Sequence, residues 1–331
     1  MSQPPALRPD SRAALGTDHT GDTQSVRSGR SLVSTGSQGT RHPELTESGL
    51  NSSIVETVNA RFENGKVVSS SVTGEVALAY NPTDFPSSSN TETIRLEQFS
   101  SLEKVAPNPA FITSVLEREG EYTVSLAHLA KTQVAFKYQL KPDPTTTGSA
   151  QAPLLITLAS RLEATQASII LSYTLHPAFN PHGRDAIALS NLTLALTLEG
   201  ARATGCQSKP VGTFARDRNL LYWHLGDVTL KPGDTPGKLL ARFATDSEAS
   251  AGNVEAKWEI AGGDAQMLGS GLAVSVQSST THPHPHQPGG NGADPFADDD
   301  NGAAAAGSGL VGVWKGVRGA KRLVGGVYMA K

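Results

Sequence analysis

GLNSSIVETVNARFENGKVVSSSVTGEVALAY, residues 49–80, has the clearest strand pattern in this chain. Its first part alternates, so that one face of an extended strand carries Ile54, Glu56, Val58, Ala60 and Phe62. Asn64-Gly65 then marks a two-residue turn, because both residue types tolerate positive φ. A second alternating run follows over residues 72–80. Two period-2 runs around an Asn-Gly pair predict a β-hairpin.

Short runs of the same kind fill the rest of the chain, and turn signals separate them. The longest covers residues 187–198, where Leu192 begins an apolar face and Leu189 is predicted on the opposite face. Two last strands are expected at residues 310–317 and 323–329, with Arg318-Gly319 between them. No apolar period of 3.6 residues extends beyond two turns. The pattern predicts an all-β sandwich and argues against an α/β nucleotide-binding fold.

Composition narrows the class of protein. The chain has 331 residues and a formal net charge of −3 at pH 7, so no bulk positive field points to nucleic acid. The single Cys206 excludes a disulfide framework and fits a reducing compartment. The N-terminus lacks the apolar run of a signal peptide, and no stretch reaches the ~20 apolar residues of a membrane span. We therefore expect a cytoplasmic protein with no nucleic-acid partner.

Two segments are too polar to form a core. Residues 1–48 are rich in Ser, Thr, Gly and Arg, and residues 278–308 hold a His-Pro run, a Gly-rich patch, an acidic cluster and a run of alanines. Neither segment can bury enough apolar surface to offset chain entropy. We expect a disordered N-terminal linker and a disordered insertion within the folded part.

The opening hairpin resembles the start of a μ-homology domain, the cargo-binding half of clathrin-adaptor medium chains. Its Ser-x-Val-x-Gly-Glu pattern, which ends at Gly74-Glu75, is most similar to the muniscin branch, the FCHo-like endocytic adaptors and their fungal relatives. Five later stretches resemble strands of this family in the same order: residues 136–138, 152–179, 217–223, 270–274 and 325–328. On these stretches the chain resembles a muniscin-type μ-homology domain.

This resemblance implies an elongated pair of β-sandwiches, the second inserted into the first, over residues 49–331. We expect subdomain A at about residues 49–150 and 255–331, and subdomain B at about residues 153–254, with the insertion at residues 278–308 inside subdomain A. Muniscins usually begin with an F-BAR domain, a long helical membrane-bending module. Nothing here is helical at that scale, so we expect a fragment, an isoform or a shortened member.

The resemblance also locates a site that is incomplete in this chain. In medium chains a Phe and an Asp on the first strand, with a Trp and an Arg on a late strand, hold a tyrosine signal. These positions align with Asn51, Ser53, Gly316 and Arg318, so only the Arg is retained. Trp314 would restore one wall if the late-strand alignment is two residues off. Without a carboxylate and aromatic walls, we expect no binding of Tyr-x-x-hydrophobic peptides.

Motifs for catalysis or cofactor binding are missing from the sequence. It contains no Gly-x-Ser-x-Gly, P-loop, Gly-x-Gly-x-x-Gly or His-Glu-x-x-His pattern. His282, His284 and His286 are types that ligate transition metals, but their alternation with prolines favours a low-complexity linker. We therefore predict neither an enzyme nor a metal or cofactor site.

Two groups of residues are candidates for partner binding. Asp294-Pro295-Phe296 lies in the acidic part of the insertion and resembles the motif that endocytic proteins present to adaptor appendage domains. A Phe there has no core to join, so its ring is offered to a partner's pocket; the alternative is a chance match in a plain linker.

A basic cluster near the C-terminus would meet anionic lipid headgroups or an acidic partner, or would be a merely solvated strand edge. This cluster comprises Lys315, Arg318, Lys321 and Arg322.

Together the resemblance and the motifs imply a non-enzymatic adaptor module of clathrin-mediated endocytosis. It would lie in the cytoplasm at endocytic sites of the plasma membrane and bind membrane-protein cargo tails, early endocytic scaffold proteins and adaptor appendage domains. Several weak contacts on flexible linkers would raise the effective concentration of each partner. Two alternatives stay open: a secretory-pathway coat subunit of the Golgi or endosomes with a medium-chain-like domain, and an extracellular β-sandwich adhesion domain.

Overall fold

The computed structural model describes residues 41–82, 90–142, 149–179, 182–278 and 313–331. Residues 1–40 of the predicted linker, and the predicted insertion beyond residue 278, lie outside these ranges. Residues 41–48, which composition assigns to the disordered linker, instead form an extended segment held against the first strands. That part of the prediction is wrong, because side chains of the folded domain bind the backbone of this segment.

The described residues form eighteen β-strands and short 3₁₀ turns, with no α-helix among them. In chain order the strands are β1 (Gly49–Glu63), β2 (Lys66–Asn81), β3 (Thr91–Glu97), β4 (Leu102–Pro107), β5 (Ile112–Ser114), β6 (Glu121–Ser125), β7 (Gln133–Leu140), β8 (Leu154–Glu163), β9 (Gln166–Leu175), β10 (Ile187–Glu199), β11 (Ala203–Lys209), β12 (Thr213–Ala215), β13 (Leu220–Leu230), β14 (Gly237–Thr245), β15 (Ser250–Ala261), β16 (Ala273–Ser278), β17 (Val313–Gly316) and β18 (Arg318–Ala330). The prediction of an all-β fold is confirmed.

The predicted hairpin is formed by β1 and β2. Glu63 pairs with Lys66, and Asn64 and Gly65 between them have φ angles of 50° and 73°. These positive angles match the type I′ turn that Asn-Gly favours. The residues of β1 that alternate from Ile54 to Phe62 are buried, so the hairpin supplies the centre of the core.

Three sheets make two sandwiches. The long sheet has nine strands in the order β12-β13-β10-β15-β18-β1-β2-β7-β4. A five-stranded sheet, β17-β16-β3-β6-β5, packs on the β7 end, where the rings of Tyr122 and Phe136 are 4.8 Å apart. A four-stranded sheet, β11-β14-β9-β8, packs on the β12 end, where the rings of Phe214 and Phe243 are 5.7 Å apart.

The second sandwich is inserted into the first, as the resemblance implies. Strands β8 to β15 build the second sandwich and are consecutive in the sequence, whereas β1 to β7 and β16 to β18 build the first. The last strand, β18, then pairs in parallel with β1, from Asn51 opposite Arg318 to Phe62 opposite Ala330. The two ends of the folded chain thus meet in the middle of the long sheet.

Two details of the sequence prediction are wrong. Leu189 and Leu192 are both buried, because a bulge intervenes in β10 where Asn191 has a φ of 55°. A bulge adds a residue and so shifts the alternation of faces. The last two strands do not meet at Arg318-Gly319, because β17 pairs with β16 in the five-stranded sheet and β18 already begins at Arg318 in the long sheet.

Tyr328 on β18 joins the two sandwiches. Its buried ring lies 5.4 Å from the ring of Phe62 and 5.6 Å from that of Trp258, centroid to centroid. Its hydroxyl accepts a hydrogen bond from the Leu154 N–H at 3.0 Å and donates one to the Leu154 carbonyl. Burial raises the pKa of Tyr328, which keeps the hydroxyl protonated and able to donate. Leu154 begins β8, so these bonds fix the entry into the second sandwich.

Replacing Tyr328 with Phe removes both hydrogen bonds and keeps the ring. We expect the free energy of unfolding to fall by about 1–3 kcal/mol, because the polar groups of Leu154 are left unpaired in a dry interior. Equilibrium unfolding in urea measures the loss. Tyr222→Phe is the matched control, because the Tyr222 hydroxyl has no hydrogen bond within the described residues. Equal stability of the two variants would contradict this role for Tyr328.

Candidate partner-binding surface

A buried ion pair lies at the centre of β1 and β18. Glu56 and Lys321 are 0% and 1% exposed, and their charged atoms are 3.4 Å apart. The Glu56 carboxylate also accepts hydrogen bonds from the Tyr138 hydroxyl at 2.7 Å, from the Ser270 N–H at 3.1 Å and from the Ser270 hydroxyl. Lys321 Nζ donates to the Leu268 carbonyl at 2.8 Å. Both charges are therefore paired and hydrogen-bonded, as a stable buried ion pair requires.

This burial corrects the predicted basic cluster, because Lys321 is inaccessible to any partner. Burial lowers the pKa of Lys321, and the neighbouring Glu56 carboxylate opposes that shift. Burial, with the charge of Glu56 added to it, raises the pKa of Tyr138 well above its usual range. Lys321 is thus a core residue of the first sandwich.

The other three residues of the predicted cluster do not share one sheet. Lys315 is exposed on β17 in the five-stranded sheet, whereas Arg318 is exposed on β18 in the long sheet. Arg322 is half-buried: its guanidinium lies 3.5 Å from the Glu259 carboxylate and donates to the Arg41 carbonyl at 2.6 Å. Partner binding by Lys315 and Arg318 stays a prediction.

Residues 41–48, the N-terminal strap, cross the outer face of β1, β2 and β18. Asn81 at the end of β2 donates from Nδ2 to the Leu45 carbonyl at 2.9 Å and to the Glu47 carbonyl at 2.7 Å. His42 Nδ1 lies 3.0 Å from Ser53 Oγ on β1. Side chains, rather than strand pairing, therefore hold the strap on the sheet.

Small side chains form the floor beneath the strap. Asn51, Ser53, Ala77 and Ala79 are each no more than 3% exposed. Asn51 Nδ2 donates to the Glu47 carbonyl of the strap at 2.5 Å. Asn51 and Ser53 are the two positions that the resemblance aligns with the Phe and Asp of the tyrosine pocket. The strap of this chain therefore covers the place that the alignment assigns to a tyrosine signal.

The late-strand positions of that pocket lie on two different sheets. Trp314 and Gly316 are on β17, and the Arg95 guanidinium lies over the Trp314 ring, 4.5 Å from its centroid. Arg318, the retained residue, is on β18 directly opposite Asn51. If the alignment is shifted by two residues, the Trp position of the pocket falls on Trp314. This ring belongs to the five-stranded sheet, whereas Asn51 belongs to the long sheet.

Burial also sets the charge of His42 in the strap. Its side chain is 6% exposed, with Nε2 3.6 Å from the Glu75 carboxylate. Burial lowers the pKa of His42, Glu75 raises it and Arg322 lowers it again, and the net pKa is below the usual 6.5. Docking of the strap thus favours the neutral imidazole. The stability that His42 adds to the docked strap is fully present above the usual pKa of 6.5, and it is lost as the pH falls through the lowered pKa of the folded protein.

Neither a membrane span nor a metal cluster occurs in the ranges that the structure describes. No helix there is long and apolar enough to cross a membrane. No group of three or more His, Cys, Asp or Glu side chains there is arranged to hold a metal ion. The features that these ranges present to a partner are sheet faces and strand edges.

Lys321→Met leaves the Glu56 carboxylate buried without its cation. We expect the free energy of unfolding to fall by about 3–5 kcal/mol, which is the usual loss when one partner of a buried pair is removed. Lys315→Met deletes the same charge at an exposed position and should change stability by less than about 0.5 kcal/mol. Urea unfolding compares the two variants. A Lys321 variant as stable as the Lys315 variant would contradict a charged pair in the core.

Residues 48–331 match the family model of the muniscin C-terminal mu homology domain. Among curated proteins, the chain is 32% identical over 292 residues to Suppressor of yeast profilin deletion from Saccharomyces cerevisiae. This match covers 84% of the chain and 32% of the relative. The chain therefore spans about a third of the length of that protein.

Solved structures share the fold. The Fcho1 mu homology domain of Danio rerio, with a bound Eps15 peptide, has a TM-score of 0.56 and 19% identity, covering 86% of this chain and 97% of that one. The yeast delta-COP-I mu-homology domain has a TM-score of 0.54 and 13% identity, covering 86% of this chain and 98% of that one. At such identities structural likeness establishes the fold, and the family model, which takes in most of the sequence, establishes the family. The chain belongs to the family defined by the muniscin C-terminal mu homology domain.

Proposed function

We propose that this chain is a non-enzymatic adaptor module of clathrin-mediated endocytosis that binds peptide segments of early endocytic scaffold proteins. The observation that carries the proposal is the muniscin family match over residues 48–331. The structure of the Fcho1 domain, whose fold this chain shares, contains a bound Eps15 peptide. A peptide from a scaffold protein is therefore the partner class that fits this domain best.

Three histidines of the described ranges lie in different parts of the fold. His128, His176 and His224 belong to separate elements, and each makes a local hydrogen bond, such as the 3.0 Å contact from His224 Nδ1 to Thr193 Oγ1. A catalytic base needs a nucleophile within reach and a third group that orients it. Among the described residues these histidines form no such set, so the proposal assigns no reaction.

The strap favours partner sites away from the centre of the long sheet. Ser53 is 2% exposed beneath the strap, and its hydroxyl contacts His42. A tyrosine signal at this place would have to displace the strap, and Ser53 stands where the alignment expects the carboxylate that binds its hydroxyl. Cargo tails, if this domain selects them, bind elsewhere in our proposal.

A short motif in the predicted insertion would add a further contact. Asp294-Pro295-Phe296 lies outside the described residues, and we keep it as a docking motif for an appendage-type domain. A weak peptide site on the folded domain, joined by linkers to a second weak site, raises the effective concentration of coat components. Such a module would act in the cytoplasm at endocytic sites of the plasma membrane.

The secretory-pathway alternative has weaker support. Its basis is the fold shared with the yeast delta-COP-I domain at 13% identity. A shared fold at this identity does not select a pathway. The family model, by contrast, is specific to muniscins.

Calorimetric titration of the full chain with the Eps15 peptide tests the proposed partner class. We expect micromolar binding to this peptide, and no binding to a Tyr-x-x-hydrophobic peptide, because the strap and Ser53 exclude its tyrosine. The reverse result, with tyrosine-dependent binding and no binding of the scaffold peptide, would contradict the proposal.

Fluorescent tagging of the chain in yeast tests the proposed place of action. Short-lived spots at the cell cortex that coincide with a clathrin marker are the expected result. Perinuclear puncta that coincide with a Golgi marker would assign the chain to the secretory pathway and contradict an endocytic role.

A further inference from the structure

The outer face of the four-stranded sheet combines two exposed apolar side chains with basic ones. Ile170 on β9 and Leu240 on β14 are 41% and 42% exposed, and they are direct neighbours across the two strands. Four exposed basic side chains lie around them, and we name this group, with the apolar pair, the basic sheet face. Its cations are Arg161, Lys209, Lys238 and Arg242.

Strand register places the cations on several sides of the apolar pair. Lys209 on β11 is directly opposite Leu240, in the same row across the sheet. Arg242 follows Leu240 by two residues along β14, and Lys238 precedes it by two. Residues two apart on a strand share a face at a spacing of about 7 Å. The apolar pair therefore lies inside a frame of positive charge.

Little negative charge offsets these cations. Glu163 is the carboxylate on this face, and it lies 3.2 Å from Arg161. Among the described residues, Lys209, Lys238 and Arg242 have no ion pair. On the opposite side of the second sandwich, by contrast, β15 alternates Glu255, Lys257 and Glu259 along its outer face. Positive charge is thus concentrated on one side of this sandwich.

The shape of the basic sheet face is that of an open sheet. The apolar side chains project from the strands, and the depression beside them, of about 420 Å³, is lined by residues of both kinds, including Ile170, Lys209 and Leu240. A peptide anchor generally fills a desolvated pocket. A bilayer surface instead takes up protruding apolar side chains while lysine and arginine stay at the level of the headgroups.

We propose that the basic sheet face of the second sandwich docks on the anionic leaflet of a membrane, with Ile170 and Leu240 at the headgroup boundary. Charge complementarity selects an anionic surface, and the exposed apolar pair selects a bilayer over a soluble acidic partner. This site goes beyond the proposed peptide binding. It also lies on a different sandwich from Lys315 and Arg318, the exposed residues of the basic cluster predicted from the sequence.

Vesicle flotation with the full chain tests the proposal. The probes are vesicles of phosphatidylcholine and phosphatidylserine in a four-to-one ratio, and vesicles of phosphatidylcholine alone. We expect binding to the first kind and little to the second. Each basic residue near an anionic surface strengthens binding about fivefold, so Lys209→Ser with Lys238→Ser should weaken binding about 25-fold. Ile170→Ser with Leu240→Ser should also weaken it, and that loss should persist at high salt, where charge is screened.

A matched control separates this site from general charge attraction. Lys104→Ser with Lys131→Ser removes the same charge from exposed positions of the first sandwich and should change vesicle binding less than twofold. An equal loss in both double variants, or full binding by the Lys209 and Lys238 variant, would overturn the proposal. A third outcome would also overturn the proposal: an acidic peptide binds the parent chain but not the Lys209 and Lys238 variant, and anionic vesicles bind neither of these two proteins. Unchanged melting temperatures of these surface variants exclude unfolding as the cause, and the Eps15 peptide titration reports separately on the proposed function.

Discussion

The first sandwich depends on keeping the Glu56 carboxylate charged in a place without water. Removing a charge from water costs several kcal/mol, and only close partners offset that cost. Three other elements supply these partners, namely Lys321, Tyr138 and Ser270. Gly269 makes room for them: its φ is +65°, and a Cβ there would collide with Glu56 Oε2. The ion pair therefore ties β1, β18, β7 and the turn before β16 into one arrangement.

The same requirement explains the motif on which the family resemblance rests. A Cβ at Gly74 would overlap the ring of Tyr138, so glycine is needed for this ring to cross β2 and reach Glu56. Glu75, the next residue, pairs with Lys137 at 3.0 Å and faces His42 of the strap. The Gly74-Glu75 motif thus serves packing inside the domain. It identifies the family because it marks how the first sandwich is built, and it carries no information about a partner.

Period-2 alternation was enough to predict the hairpin and the all-β class, because a strand with one buried face alternates apolar and polar residues. The inserted second sandwich was predicted from the family resemblance instead. The buried ion pair is also visible in the sequence as charged residues at positions of an apolar face. Glu56 shares a strand face with Ile54 and Val58, and Lys321 shares one with Leu323. Two opposite charges on inward faces of neighbouring strands are a signal for a buried pair, but pairing of β1 with β18 is not visible in sequence. The strap could not be predicted, since its backbone is held by distant side chains such as Asn81. The bulge at Asn191 depends on a backbone angle that alternation does not encode.

The two sandwiches use their charged residues in different ways. The first uses its internal charges to hold its strands together and covers the middle of its outer face with the strap. The second leaves Lys209 and Lys238 without an acidic partner in the described ranges, so changing them removes no contact that the fold needs. Exposed charges of this kind contribute little to folding, because water already solvates them. Residues on a surface that the fold does not need can therefore be selected for what they bind. In the adaptor function that we propose, the basic sheet face is such a surface.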